Sequence, residues 1–197
     1  MIKGIIFDLD GTLVRLPINY DKIFTKLQDL FDTQDEFRPL IPTIIKKANN
    51  DSKLVEKAFE IICEEEALAT VNFKIVDDAI DILNYFKKKN YSICLVTMQC
   101  VKAANIILEK MQVSELFSSI VTRDLLHERN LQIKKSIESL SLSTNEIMMI
   151  GDRINDVRSA QQVGCSVILF NKDKANSFTD CHVISKLSEL KNIDFNV

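Results

Sequence analysis

The sequence lacks the features of a membrane-bound protein, of an exported protein and of a protein with a structural zinc site. Its five cysteines form no C-x-x-C pair, which argues against a structural zinc site. No apolar stretch approaches the roughly 18 residues that a membrane-spanning helix needs. The apolar run near the amino terminus is broken by Asp8 after a few residues, unlike the apolar segment of a signal peptide. We therefore expect a cytoplasmic protein without a membrane partner.

The sequence also lacks an excess of positive charge. The net charge is −3 with 27% charged residues, and the lysines and arginines are scattered along the chain. Proteins that bind nucleic acid usually concentrate basic residues on one face. The composition therefore argues against a nucleic-acid partner.

The most informative stretch lies close to the amino terminus. The apolar residues Ile5–Phe7 run directly into Asp8 and Asp10, and Gly11 follows. A short apolar run bounded by a turn signal is typical of a buried strand in a parallel sheet. Residues two apart in an extended chain point to the same side, so both carboxylates can converge on one point. Such pairs repel unless a cation or a proton separates them, and Mg²⁺ is commonly bound in this way.

The remainder of the sequence predicts an α/β fold with a helical insertion. Apolar residues at helical spacing fill the region after Pro17, whereas strand-like and helix-like segments alternate from Ile75 onwards, with the first of these helices starting near Ile75. Such alternation predicts a Rossmann-like, doubly wound parallel sheet. We expect a core domain of residues 1–15 and 75–197 and a small helical domain of residues 16–74.

Two further predicted strands end in polar residues. One strand ends at Thr97, and another runs into Gly151-Asp152, with Asp156 four residues later. If these strands are parallel neighbours of the first, their polar ends meet at one edge of the sheet, where α/β proteins bind ligands. The acidic residues expected there would repel one another without a metal ion. Each motif alone has a simpler explanation, such as an N-cap for the following helix.

Together these motifs resemble the haloacid dehalogenase-like hydrolase superfamily. The resemblance rests on Asp8-Leu9-Asp10-Gly11-Thr12-Leu13, the strand ending in Thr97, and Gly151-Asp152-Arg153-Ile154-Asn155-Asp156, and it covers essentially the whole chain. The helical insertion lies where that superfamily has a C1 cap. The layout is similar to phosphoglycolate-phosphatase-like members, and Asp10 points away from the dehalogenases, which lack its equivalent.

The resemblance implies a role for each motif. Asp8 would be the nucleophile that forms an aspartyl-phosphate, and Asp10 would be the general acid and base. Mg²⁺ would be held by Asp8, the backbone carbonyl of Asp10 and Asp152, with Asp156 supporting the site. The substrate phosphate would be bound by the Thr97 hydroxyl and the Met98 amide, next to the tight turn at Gly11.

The lysine of the family pattern is missing. The superfamily normally has a lysine, often followed by proline, before the helix that precedes the Gly-Asp strand, where it neutralises the nucleophile and the phosphate. Here Arg129 stands nearest to the expected position, and Lys134 is the second candidate. Arg123 and His127 are weaker candidates, and any of these could instead be a solvated surface charge.

These considerations predict a Mg²⁺-dependent phosphatase that acts on small phosphorylated metabolites. A phosphomutase of the same superfamily would use the same aspartates, and the missing lysine leaves open a non-catalytic binding protein with this fold. The sequence does not identify the phosphomonoester or the oligomeric state.

Overall fold

The chain forms two compact units. A computed structural model describes residues 1–171 and 181–195. One unit, called here the α/β unit, comprises Met1–Arg15 and Lys74–Val197, and the other, the helical unit, comprises Leu16–Phe73. The helical domain predicted from the sequence ends one residue later, at residue 74. The predicted core range also includes residues 172–180 and 196–197, which lie outside the described residues.

The α/β unit is built on a six-stranded parallel sheet. Its strands are β1 (Gly4–Phe7), β4 (Ser92–Val96), β5 (Ser119–Val121), β6 (Ile147–Gly151), β7 (Ser166–Phe170) and β8 (His182–Ile184). Their order across the sheet is β5-β4-β1-β6-β7-β8. The chain crosses from one side of β1 to the other between β5 and β6. This reversal is the topological switch point beside which ligands bind in open α/β sheets.

Strand β1 is central and fully buried. Its residues pair in parallel with β4 on one side and with β6 on the other. Ile6 packs against Ile133 and Val157 in one apolar cluster on one face of the sheet. Phe7, which points to the opposite face, contacts the ring of Phe86 at 6.1 Å between centroids. Both faces of the strand are therefore covered, as the unbroken apolar run predicts.

The described part of the α/β unit contains four α-helices. They are α4 (Ala79–Lys88), α5 (Val101–Met111), α6 (Arg129–Leu140) and α7 (Ile154–Val163). Short 3₁₀ turns at Ser114–Leu116, Thr144–Glu146 and Leu187–Asn192 complete the pattern. The last of these turns follows β8.

A small two-stranded sheet corrects the predicted start of α4. Strand β2 (Val14–Arg15) pairs antiparallel with β3 (Lys74–Ile75). Ile75 has the right spacing from Ala79 and Ile82 to extend the apolar stripe of a helix, but α4 begins only at Ala79. Pairing with Val14 in the small sheet satisfies the hydrogen-bonding groups of the Ile75 backbone, so Ile75 does not need to join the helix.

The helical unit contains three helices. They are α1 (Tyr20–Phe31), α2 (Leu40–Ala48) and α3 (Ser52–Ala69). The side chains of Asn19 and Asp51 accept hydrogen bonds from backbone amides in the first turns of α1 and α3, which is usual N-capping chemistry. No helix in the described part of the chain is both long and apolar enough to cross a membrane.

Candidate active site

The end of β1 carries the first two candidate residues. Asp8 is buried, and its backbone amide donates to the carbonyl of Ile150 at 3.0 Å, which continues the sheet one residue beyond β1. Asp10 is half-buried in the turn that follows. Gly11 has a φ of +100°, and a Cβ atom added to it would lie 2.1 Å from Oδ2 of Asp152. Only glycine fits a turn that approaches a neighbouring carboxylate so closely.

The end of β6 brings in the other two aspartates. Asp152 directly follows β6 and is half-buried, whereas Asp156 lies in the first turn of α7 and is almost fully buried. The carboxylate of Asp156 accepts a hydrogen bond from the Arg153 amide at 3.1 Å, which caps the helix. A Cβ atom on Gly151 would lie 2.5 Å from Oδ2 of Asp156, so this glycine lets the helix start close to the strand. Asp156 therefore caps the start of α7 and also lies next to Asp8 and Asp152.

Three of the carboxylates form a compact acidic group. One oxygen from each of Asp8, Asp152 and Asp156 lies within 4.8 Å of the others. Burial raises the pKa of Asp8, and Asp156 and Asp152 raise it further, while Arg129 lowers it. Burial also raises the pKa of Asp152 to about 6. The protein therefore brings together carboxylates that do not ionise readily without a compensating charge.

Arg129 supplies part of that charge. Its Nη2 atom donates a hydrogen bond to Oδ1 of Asp8 at 2.6 Å in a buried ion pair. Its Nε atom lies 3.0 Å from Oδ1 of Asp156, although the N–H is not directed at this oxygen as a hydrogen bond requires. Arg129 is the first residue of α6, where the helix dipole disfavours a cation. The carboxylates thus hold the guanidinium where the helix alone would not.

The charges of this group do not balance. Two guanidinium groups face the three carboxylates, Arg129 beside Asp8 and Asp156 and Arg153 near Asp152. Among the described residues, Oδ1 of Asp152 is buried without a hydrogen-bond partner. Carboxylate oxygens are the ligands that Mg²⁺ prefers, usually with one or two from the protein. The acidic group therefore has the composition, the charge and a spare ligand atom that suit a divalent cation. The side chain of Asp10 is not one of the three, which leaves its backbone carbonyl as the ligand that the family resemblance implies.

The loop after β4 contains Thr97, Met98 and Gln99. Thr97 is fully buried, and its hydroxyl donates to Oε1 of Gln99, whose backbone amide donates back to the Thr97 Oγ1 atom at 3.2 Å. Met98 is half-buried, and its carbonyl accepts a hydrogen bond from the side chain of Arg123. The Thr97 hydroxyl therefore has an internal partner that it would have to exchange for a phosphate oxygen.

The other basic candidates lie elsewhere in the α/β unit. Lys134 is exposed on α6, and His127 is exposed in the segment before that helix. Arg123 is buried and contacts the loop after β4 through Met98. Of the four basic residues considered from the sequence, Arg129 is the one that the described structure pairs with Asp8.

Two glutamines at the site have no counterpart among the residues selected from the sequence. Gln99 contacts Thr97, and Gln132 contacts both Arg129 and the carbonyl of Thr97. Gln99 stands two residues after Thr97, which could have marked it as part of the loop. Gln132 lies on a helix whose sequence does not distinguish a buried glutamine from an exposed one.

Comparisons with known proteins agree with this arrangement. The family model described as haloacid dehalogenase-like hydrolase matches residues 5–170. A phosphoglycolate phosphatase of Chromobacterium violaceum is 26% identical over 210 residues, covering 90% of this chain and 89% of its own. The pyrophosphatase PpaX of Bacillus mycoides is 23% identical over 208 residues, covering 96% and 95% of the two chains.

A solved structure shares the fold. The crystal structure of a hydrolase from Pseudomonas syringae superimposes with a TM-score of 0.74 at 17% identity, covering 96% of each chain. The family model spans β1 to β7 and includes every candidate residue described above. The chain therefore belongs to the haloacid dehalogenase-like hydrolase family.

Proposed function

We propose that this hydrolase is a Mg²⁺-dependent phosphatase that releases phosphate from small phosphomonoesters through an aspartyl-phosphate on Asp8. The observation that carries the proposal is the buried acidic group of Asp8, Asp152 and Asp156, which Arg129 neutralises only in part. Membership of a hydrolase family and the likeness to a phosphoglycolate phosphatase and a pyrophosphatase support phosphohydrolase activity.

The first chemical step would use both aspartates of β1 and its turn. A carboxylate oxygen of Asp8 attacks phosphorus and forms a bond to it, while the bond between phosphorus and the leaving oxygen breaks. Asp10 donates a proton to that oxygen, so the product leaves as an alcohol. Asp10 lies two residues from Asp8, on a turn that Gly11 allows to pass close to Asp152.

The second step would restore the enzyme. Asp10, now ionised, accepts a proton from a water molecule as the water oxygen attacks the phosphorus. The bond between phosphorus and the Asp8 oxygen breaks, which releases inorganic phosphate and returns Asp8 to a carboxylate. Arg129 contacts the same carboxylate and would offset negative charge at the phosphoryl group in both steps.

The proposal also assigns ligands for the metal and for the phosphate. Asp8, Asp152 and the Asp10 carbonyl would hold Mg²⁺, with Asp156 supporting them, and the ion would supply positive charge beside the phosphoryl oxygens. The Thr97 hydroxyl and the Met98 amide would bind the phosphate next to the turn at Gly11. Lys134, exposed on α6, has no part in this proposal.

Phosphate release from a panel of phosphorylated metabolites, pyrophosphate and an aryl phosphate tests the proposal. We expect release that needs Mg²⁺, stops with a chelator and is absent in the Asp8→Asn variant. Asp81→Asn, the same change at an exposed position on α4, should release phosphate at the wild-type rate.

Two results would contradict the phosphatase. Full activity of the Asp8→Asn variant would show that Asp8 is not the nucleophile. Transfer of the phosphoryl group within a sugar phosphate, without net release of phosphate, would instead identify a mutase.

A further inference from the structure

The side chain of Gln132 links two parts of the site that belong to different elements. Gln132 lies one turn after Arg129 on α6 and is fully buried. Its Oε1 atom accepts a hydrogen bond from Nη1 of Arg129 at 3.2 Å. Its Nε2 atom donates to the carbonyl of Thr97 at 2.8 Å and to the carbonyl of Leu126 at 2.7 Å. Both amide hydrogens and the amide oxygen are thus in use.

The neighbouring groups allow only one orientation of this amide. The two carbonyl oxygens can only accept hydrogen bonds, and the guanidinium can only donate them. A rotation of the amide by 180° would turn its oxygen towards two carbonyl oxygens and its NH₂ group towards a cation. Both contacts would be repulsive in a buried site. Gln132 therefore holds Arg129 and the Thr97 carbonyl in a fixed relation.

The Thr97 carbonyl matters because it shares a peptide plane with the Met98 amide. In a trans peptide the C=O and N–H groups point in opposite directions. A hydrogen bond that fixes the Thr97 carbonyl therefore also fixes the direction of the Met98 N–H group. The opposite side of Arg129 contacts Asp8 through Nη2. One glutamine thus contacts both Arg129, the partner of Asp8, and the carbonyl of the peptide whose amide is expected to bind phosphate.

We propose that Gln132 is a positioning residue that aligns the Arg129 guanidinium with the Thr97–Met98 peptide around the phosphoryl group. This inference rests on the proposed phosphatase function. Gln132 touches neither Asp8 nor the substrate in this scheme and acts through the two groups that it holds. Arginine has a planar, forked head, so a partner on one nitrogen restricts the direction of the others.

A double-mutant cycle between Gln132→Met and Arg129→Met tests the proposal. Methionine has a similar length and no amide, so Gln132→Met removes all three hydrogen bonds. We expect it to lower kcat for an aryl phosphate by about 10- to 100-fold, as loss of an orienting partner usually does. In the Arg129→Met background the same change should lower kcat by a clearly smaller factor, because only the alignment of the Thr97–Met98 peptide is left to lose.

A structural role for Gln132 would give a different pattern. If it only filled space, its replacement would lower kcat by the same factor in both backgrounds, and that result would overturn the proposal. Ser136→Ala is the matched control, because Ser136 is also fully buried on α6 but its hydroxyl has no hydrogen-bond partner among the residues that the structure describes. Its kcat should stay within twofold of the wild type. Gln132→Asn, which keeps the amide but is one methylene shorter, replaces Gln132→Met if the latter does not fold.

The four proteins of the cycle, which are the wild type, Gln132→Met, Arg129→Met and the double variant, also separate this inference from the proposed function. A wild-type protein that releases no phosphate from any substrate would overturn the phosphatase. Denaturant unfolding of the four proteins would then decide on Gln132 alone. We expect Gln132→Met to lower the unfolding midpoint by more in the wild type than in Arg129→Met, because only the wild type has the hydrogen bond between Gln132 and Arg129 to lose. Equal shifts in both backgrounds would show that Gln132 and Arg129 are not coupled and would overturn the inference.

Discussion

The α/β unit and the helical unit each bury a carboxylate against cations, but with opposite charge balance. In the helical unit, Glu65 on α3 is buried and contacts Lys22 at 2.7 Å and Lys26 at 3.0 Å, both from α1. In the α/β unit, Asp8 has one guanidinium partner and shares it with Asp156. One buried carboxylate thus has two cations, whereas at the other site two buried carboxylates share one guanidinium.

The pKa values follow this difference. Burial alone would raise the pKa of Glu65, but the hydrogen bonds and charges of Lys22 and Lys26 outweigh it and lower the pKa. At Asp8 the effect of burial prevails over Arg129, and the pKa rises. In the first arrangement the two lysines compensate the charge of Glu65, and the ion pairs join α1 to α3. The second leaves a deficit of positive charge, which suits a site that must bind a cation.

The largest effect is expected from removing the nucleophile. Asp8→Asn should lower kcat by about 10⁴-fold or more, because removal of a nucleophile commonly has effects of this size. Its unfolding midpoint should not fall, because an amide relieves repulsion from Asp152 and Asp156. Steady-state kinetics and denaturant unfolding measure the two effects. A clear loss of stability together with a small loss of activity would mean that Asp8 has a structural role like that of Glu65.

Arg129 should give the next largest effect. Arg129→Met should lower kcat/KM by about 10²- to 10³-fold, the usual range for loss of one electrostatic partner of the reacting group. In the presence of a chelator it should also lower the free energy of unfolding by about 3–5 kcal/mol, because it leaves buried carboxylates unpaired.

Arg129→Lys is the matched variant at this position. It should fall between the wild type and Arg129→Met in activity, since lysine keeps the charge but cannot contact Asp8, Asp156 and Gln132 together. Wild-type kcat/KM in Arg129→Met would show that the guanidinium is not needed.

The smallest effect is expected in the helical unit. Glu65→Gln should lower the free energy of unfolding by about 1 kcal/mol at neutral pH, because both lysines are partly exposed and their interaction is screened by solvent. The folded pKa of Glu65 lies below its ordinary value of 4.5, so this contribution is present above pH 4.5. It is lost as the pH falls from 4.5 through the folded pKa.

Unfolding of wild type and Glu65→Gln between pH 7 and pH 3 measures this dependence. The stability difference between the two proteins should shrink as the pH falls. A difference that stays constant would mean that the ion pairs do not stabilise the helical unit.

The sequence predicts the strand-end residues well because their signal is local. Apolar runs that end in Asp8, Thr97 and Asp152 mark three strands of one parallel sheet, and parallel strands bring their carboxyl ends to one edge. Arg129 could be selected because it precedes the apolar stripe of Ile133 and Ile137, which sets the start of α6. Which basic residue reaches Asp8 depends on a contact over 121 positions, and only the structure supplies it.

Other features depend on pairings that the sequence does not display. Ile75 fits the apolar stripe of α4, yet its backbone pairs with Val14 in a two-residue strand. Gln132 is fully buried by contacts with Arg129, Thr97 and Leu126, whereas its sequence neighbours Lys134 and Lys135 are exposed. A buried polar residue is defined by its partners, and partners distant along the chain cannot be recognised from one sequence.

A Mg²⁺ titration of thermal unfolding tests most directly whether the unbalanced acidic group is a metal site. Ligand that binds only the folded state stabilises it, by about 2.7 kcal/mol at a hundredfold excess over Kd. We predict that Mg²⁺ raises the Tm of the wild type and of Glu65→Gln by the same amount, and that Asp152→Asn removes most of the increase. A wild-type Tm that does not change with Mg²⁺, or an equal increase in Asp152→Asn, would contradict the metal site.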